Sequence, residues 1–231
     1  MQIRQMLPAI LVGVFIFLSA SSSDAADPHA RFEIGASGAI LSDHPTYGAE
    51  IGYRFTPEFR TRVGYFNLKQ KESQMVEAIQ FSQDLNQNNI RMTFDFFPWD
   101  NLNLYGNVGA VHLGEPESFT ITPTDGRSYT VNGVLYSSAQ LGKVAGIVVT
   151  HKTVPYIGVG WAHYFKGNRP GWYFQMEAGM VSNLEPRLDI QSVNSSAPPS
   201  LTSDVEAQAD KESAKLPDAY TIYAIIIGYR F

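Results

Sequence analysis

The stretch AYTIYAIIIGYRF, residues 219–231, sets two unlike faces on a single strand. Side chains at alternate strand positions point to opposite sides. One side carries Thr221, Tyr223, Ile225, Ile227, Tyr229 and Phe231, apolar with aromatics near both ends. The other carries Ile222, Ala224, Ile226, Gly228 and Arg230, which is small, mixed and charged. A membrane-spanning β-strand needs about 9–11 residues, apolar toward lipid and more polar toward the lumen. The last core strand of a soluble sandwich fits the same thirteen residues, so the choice falls to the rest of the chain.

Working back from it, seven more segments read as strands: Arg31–Ile40, Tyr47–Phe55, Phe59–Leu68, Asn89–Phe97, Asn101–His112, Pro155–Phe165 and Gly171–Asn183. Most repeat the alternation, as in Ile90, Met92, Phe94, Phe96 and in Ile157, Val159, Trp161. Their connections are sorted by length. TPE, PWDN and KGNRPG are tight turns carrying Pro, Gly, Asn or Asp. The alternate connections are longer, three of them much longer, at about 69–88, 113–154 and 184–218. Short turns at one rim and long loops at the other are how outer-membrane barrels are built. A sandwich has no reason to sort its loops. The expected fold is all-β: an eight-stranded antiparallel transmembrane β-barrel, residues 26–231, with short periplasmic turns and long extracellular loops.

Composition agrees. Only 17% of the 231 residues are charged, and the formal net charge is −5 with no basic block, so nucleic acid is not an expected partner. The absence of cysteine excludes disulfide frameworks, thiolate metal sites and thiol nucleophiles. Residues 1–25 read as a secretory signal peptide: Arg4, an apolar run Leu7–Ala20, then Ser23-Asp24-Ala25 as a cleavage signal. An uncleaved anchor is the alternative, but the apolar run is short for a membrane span.

The outward set near the short-turn rim includes Phe55, Phe59, Phe96, Trp161, Phe165, Trp172, Tyr229 and Phe231, the expected aromatic girdle at the headgroup level. The inward parity holds Glu33, Glu50, Arg54, Arg60, Arg62, Arg91, Asp95, Glu177 and Arg230, joined by Gln175, Asn103, Tyr105 and Asn107 and interleaved with glycines. An eight-stranded barrel is wide enough only for its own side chains. Buried charges of mixed sign should then pair, because an unpaired one is costly. The expectation is an Arg/Glu/Asp network plugging the lumen, with no continuous pore. A proton or ion relay is the functional alternative to structural pairing.

In the 113–154 insert, two short β-like runs flank TDGRS, and Asn132-Gly133 is a hairpin signal. This predicts an extension of the wall or a folded cap. The 184–218 insert starts Ser/Pro-rich, and Asp204–Leu216 reads as an acidic helix with Ser203 as N-cap. A helix capping a loop is the plain reading; binding of a cation, of ions bridging lipopolysaccharide or of a host ligand is the sharper one. The histidines, His29, His44, His112, His151 and His163, form no His-x-Ser pair on a strand and no pairing with strand-top carboxylates. No catalytic residue, cofactor or metal ligand is therefore assigned.

The spans FDFFPWDNLNLYGNVGAVH, VPYIGVGWAHYF, GWYFQMEAGMV and IIIGYRF resemble the small outer-membrane β-barrel proteins of Gram-negative bacteria, over nearly the whole of residues 26–231. The pattern PYxGxGW places the chain beside a group sharing the architecture of OmpA- and OmpW-type eight-stranded barrels. The resemblance implies an outer-membrane location amid lipid and lipopolysaccharide. It also implies that Tyr223, Ile225, Ile227, Tyr229 and Phe231 are the signal read by the barrel assembly machinery during insertion. The functional expectation is non-enzymatic structural or surface-interaction work through the long loops, with an unidentified extracellular ligand. An OmpW-like conduit for small hydrophobic solutes is the first alternative, and a lipid-modifying enzyme the second.

Overall fold

The computed structural model describes residues 31–41, 44–76, 79–99, 102–124, 126–167, 169–192 and 198–231. The expected leader and its cleavage site lie outside these residues.

Eight strands close on one another: β1 (Phe32–Leu41), β2 (His44–Arg54), β3 (Phe59–Val76), β4 (Ile79–Phe96), β5 (Leu104–His112), β10 (Thr153–Tyr164), β11 (Gly171–Val181) and β13 (Tyr220–Arg230). Every neighbouring pair is antiparallel, and β13 seals the ring against β1 from Glu33↔Arg230 to Leu41↔Ile222. Closure pairs β13 on both sides, with β11 and β1, which is why so apolar a strand can stand in the wall without templating aggregation. These are the eight segments expected from alternation. On their outer face the large apolar side chains are exposed, among them Ile51, Val63, Met92, Phe94, Val159 and Ile225.

The region 69–88 is not a loop. β3 and β4 run on together from Leu68↔Gln87 to Val76↔Ile79, a hairpin that continues past the end of the β2–β3 pairing. Its outward side chains are polar (Lys69, Lys71, Asn86, Asp84), which hid the strand from a reading keyed to an apolar outer face. Its inward side keeps the pattern, with Leu68, Phe81 and Leu85.

The wall is extended by β6 (Glu117–Pro123), β9 (Val144–Val149) and β12 (Arg187–Ser192), which pair in the order β4-β6-β9-β12. The register is kept across the break between β5 and β6. Ile90 of β4 faces His112, and Asp84, six residues on, faces Ser118, six residues beyond His112. The same holds opposite, where Val111↔Val154 is followed by Glu117↔Val148. β5 with β6, and β9 with β10, are thus each one strand interrupted at the same height. Asn183 and Glu185 take positive φ (62° and 43°) between β11 and β12 at that level. The barrel is tall on the β3–β12 side and low at the β1–β2 and β13 side.

The remaining pieces pack on the inner face of this tall wall. β7 (Ser128–Val131) and β8 (Val134–Ser137) form a hairpin turned by Asn132 (φ 49°) and Gly133 (φ 85°), as the sequence led one to expect. The short α1 (Ser138–Leu141) follows, closed by a capping box between Ser137 and Gln140. α2 spans Pro199–Ser213, five residues earlier at its start than the acidic pattern indicated. Ser203 is not its N-cap; the Ser203 hydroxyl donates to Ser200 O at 2.8 Å. Pro199 starts the helix, where a missing N–H costs nothing. Leu201 and Val205 of α2 pack with Tyr136, Leu141 and Val144 in a small core of their own. Asp204, Gln208 and Lys211, one stripe of α2, all bond Asn132 in the hairpin turn. Hydrogen bonds from Tyr136 and Asn132 hold the Asp204 carboxyl below its ordinary range. The Leu113–Val154 insert is therefore wall and cap together.

Candidate functional site

Inside the barrel the inward parity brings four arginines and four carboxylates into one chain of contacts. Arg230 donates from Nη2 to Glu33 Oε1 at 2.8 Å, and Glu33 Oε2 accepts from Arg60 Nη1 at 2.8 Å. Arg60 Nε donates to Asp95 Oδ2 at 2.6 Å. The same oxygen accepts from Arg62 Nε at 2.7 Å. Arg62 then reaches Glu177 Oε2 (2.5 Å) and Glu50 Oε2 (3.1 Å). Arg91 closes the chain on Glu177 Oε1 (2.6 Å) and Glu50 Oε2 (3.4 Å). All eight residues are at most 5% exposed.

Four positive and four negative groups leave the cluster neutral, and nearly every carboxylate oxygen has a guanidinium or phenol donor. That arrangement makes so many buried charges tolerable. Tyr105 Oη (2.8 Å) and Tyr156 Oη (2.5 Å) complete the shell of Glu177, and Gln175 accepts from Arg60 Nη2 at 3.0 Å. Together these side chains come from all eight barrel strands, so the network laces the wall from within.

Arg54 stands apart from the chain. Among the described residues no carboxylate lies within ion-pair distance of it; its guanidinium donates to Pro57 O and Tyr164 Oη and lies 4.2 Å over the Phe97 ring. Arg230 sits 3.4 Å over Tyr164, so the short-turn end is floored by guanidinium groups stacked on aromatic rings. Asn103 falls in the turn before β5 with φ 54°. Phe97, Tyr156, Tyr164 and Tyr173, which share the interior, were not assigned from the sequence. The interleaved glycines were the available signal. A β-carbon at Gly160 would overlap the Tyr105 ring, and one at Gly179 the Tyr156 ring, so these glycines are slots for inward tyrosines.

On the outside, the expected girdle residues Phe55, Phe96, Phe165, Trp172 and Phe231 are exposed, and Phe59 and Trp161 half-buried. Ring contacts join them locally: Phe59–Phe96 at 5.1 Å, Trp172–Tyr229 at 5.7 Å and Tyr229–Phe231 at 5.1 Å. Tyr47, Tyr65 and Tyr223 are exposed toward the opposite end, away from the short turns. From Tyr223 to Phe231 is eight residues, about 20 Å of barrel height for strands tilted about 40°.

Neither a protein-family model nor any curated protein matches the sequence. Among solved structures, CarO of Acinetobacter baumannii aligns with a TM-score of 0.55 at 20% identity, covering 85% of this chain and 97% of CarO. CarO2 of the same organism aligns with a TM-score of 0.56 at 17% identity, covering 86% and 98%. CarO is an outer-membrane β-barrel protein. The fold is that of an eight-stranded outer-membrane barrel.

Above the network the barrel opens into a chamber of about 530 Å³. Arg91 and Asn89 lie at its base, and Phe66, Leu68, Leu85, Val111, Val181 and Leu184 line its walls. Glu117, Phe119 and Ile121 of β6, Leu216, and His44 and Thr46 of β2 complete it. The sequence reading missed this chamber because half of its wall was assigned to a loop. Among the described residues the histidines form no catalytic constellation. His112 meets Thr153 Oγ1 at 2.9 Å on the outer face, and His151 lies 3.6 Å from Glu185 on an exposed surface. No group of three or more His, Cys, Asp or Glu among them is placed to hold a metal ion.

Proposed function

We propose that the chain is an integral protein of the bacterial outer membrane that acts at its extracellular face and does not conduct. In this reading residues 1–25 are a cleaved leader, the short turns face the periplasm, and the tall wall with its cap faces outward. The observation that supports it is the buried Arg230–Glu33–Arg60–Asp95–Arg62–Glu50–Glu177–Arg91 chain of ion pairs on the inner face of the barrel, between the aromatic floor and the chamber. Water-filled passage through it requires breaking several buried ion pairs at once. In planar lipid bilayers the wild-type barrel is expected to show no discrete conductance; steady single-channel steps would overturn the plug. Among the described residues no catalytic constellation supports the enzyme alternative. The chamber favours the OmpW-like alternative in one respect only, an apolar space within the wall, and its base is the charge network.

The proposed partners are outer-membrane lipid and lipopolysaccharide around the apolar belt, and the barrel assembly machinery during insertion. Tyr223, Ile225, Ile227, Tyr229 and Phe231 share the outer face of β13, ready to be read as an extended apolar edge before closure on β1. Phe231 holds its place through one backbone bond, to Phe32 O at 2.8 Å, and an edge contact with the Tyr229 ring, and its own ring is half-exposed, so it contributes little to the finished barrel. Phe231→Ala is expected to lower the amount inserted in cells while leaving the unfolding midpoint of barrel refolded in vitro unchanged. Equal amounts in cells would remove the addressing role.

A further inference from the structure

The chamber has a chemical character its position does not require. The side chains that line it are predominantly apolar, and they stand directly above a layer of fully paired charges. Among the described residues no lysine lines it, and the one arginine that does, Arg91, already gives Nη1 to Glu177 and Nη2 to Glu50. One carboxylate does line it: Glu117, at the start of β6. Glu117 accepts a hydrogen bond from Gln83 Nε2, but among the described residues it forms no ion pair. His44 stands in the same wall, with Nδ1 engaged to Gln70 Oε1 at 2.5 Å. Thr46, two residues along β2 and only 6% exposed, lines the chamber with a hydroxyl that meets no partner among the described residues. An apolar cavity of this size with a few convergent polar groups has the make-up of a small-molecule site.

We propose that the chamber binds a small amphiphilic cation. Its ammonium group would sit against the Glu117 carboxylate, and its apolar body against Leu68, Leu85, Val111 and Leu184. The charge of the lining selects the sign. Among the described lining residues, and apart from the neutralised Arg91, the one acid is Glu117, whose carboxylate would repel a carboxylate ligand and be left unmatched by an alcohol. Burial pushes the Glu117 carboxyl above its ordinary range, opposed by His44 and by the bond from Gln83. An unmatched carboxylate in such a place gains from a cation more than an exposed one does. Thr46 adds a hydroxyl able to turn either way toward the head group. The proposal rests on the closed-barrel reading for the chamber's floor, and the two fail separately: conductance tests the floor, binding the chamber.

The test is calorimetric titration of the full barrel in lipid nanodiscs with three probes of one shape: 4-phenylbutylamine, 4-phenylbutanol and 4-phenylbutyrate. Empty nanodiscs measure partition into lipid. The amine is expected to bind about tenfold tighter than the alcohol, and the carboxylate more weakly than either. Glu117→Gln should bring the amine to the level of the alcohol and leave the alcohol unchanged. Leu85→Trp, which fills the space, should remove both, its folding checked by heat-modifiable migration. If Leu85→Trp does not fold, the wild type and Glu117→Gln decide by themselves. Binding no greater than to empty nanodiscs, equal affinity for amine and alcohol, or an amine preference that survives Glu117→Gln would each overturn the proposal.

Discussion

Arg62→Ala is expected to be the most damaging single substitution in the barrel, costing about 3–5 kcal/mol or more. Arg62 touches three of the four lumen carboxylates: Asp95 through Nε and Nη2, Glu177 through Nη2 and Glu50 through Nη1. Truncation leaves those three acids to Arg60 and Arg91, in a space where water replaces the lost donors poorly. The loss therefore comes less from the missing attraction than from charges left buried and under-compensated. Arg62→Lys should recover only part, since one ammonium cannot reproduce a planar fork addressed to three partners. Arg230→Ala should cost less, because its one carboxylate, Glu33, keeps Arg60.

The measurement is a urea midpoint for protein folded into lipid vesicles, read by tryptophan fluorescence and by heat-modifiable migration. A second variant separates charge balance from packing. Arg62→Met combined with Glu50→Gln removes one charge of each sign, leaving three arginines facing three acids. It should be more stable than Arg62→Met alone, a coupling a double-mutant cycle reads directly. A wild-type midpoint for Arg62→Ala would mean the lumen is wet enough to solvate its acids, and the plug would go with it.

How far this interior could be read from the chain depends on what each residue is keyed to. Arg60, Arg62, Arg91, Asp95, Glu33, Glu50, Glu177 and Arg230 were legible because strand parity alone separates them from the apolar outer set, and parity is local. Who bonds whom was not legible. Arg60 meets Asp95 directly across the β3–β4 pair, yet Arg62 reaches Glu177 across the lumen, 115 positions along the chain, which only closure fixes. The fate of Arg54 turned on the same geometry, since Phe97, inward on the parity of Asp95 just past the end of β4, offers it a ring instead of an acid.

The tall wall shows the other limit. Lys69, Lys71, Asp84 and Asn86 obey strand periodicity as well as any residue below them, but their outward side chains are polar where those below are apolar. A search for apolar outer faces stops where the apolar belt stops. It places the belt well and loses the strands that leave it. With them went the chamber, whose Leu68 and Leu85 belong to those strands.

That boundary carries the second large effect. Val159→Arg is expected to destabilise the barrel in lipid by about 2–4 kcal/mol, the cost of an arginine near the midplane of an outer-membrane barrel. Val159 projects from the outer face of β10 near its middle, beside Ala178 and Gly106 on the neighbouring strands, and is 65% exposed. Were the belt facing water, the same substitution on an exposed strand position would be worth no more than about ±0.5 kcal/mol. Asn86→Arg supplies the control: it is on the outer face of β4, but above the break where the apolar set ends at Ile90. Its midpoint should stay at the wild-type value. Urea titrations of both variants in the same vesicles place the edge of the hydrocarbon between them. Equal shifts for the two would mean that the apolar belt is not a lipid surface. A shift confined to Val159 fixes the barrel's depth, with the break at Leu113–Glu117 at the headgroup level and the chamber just behind it.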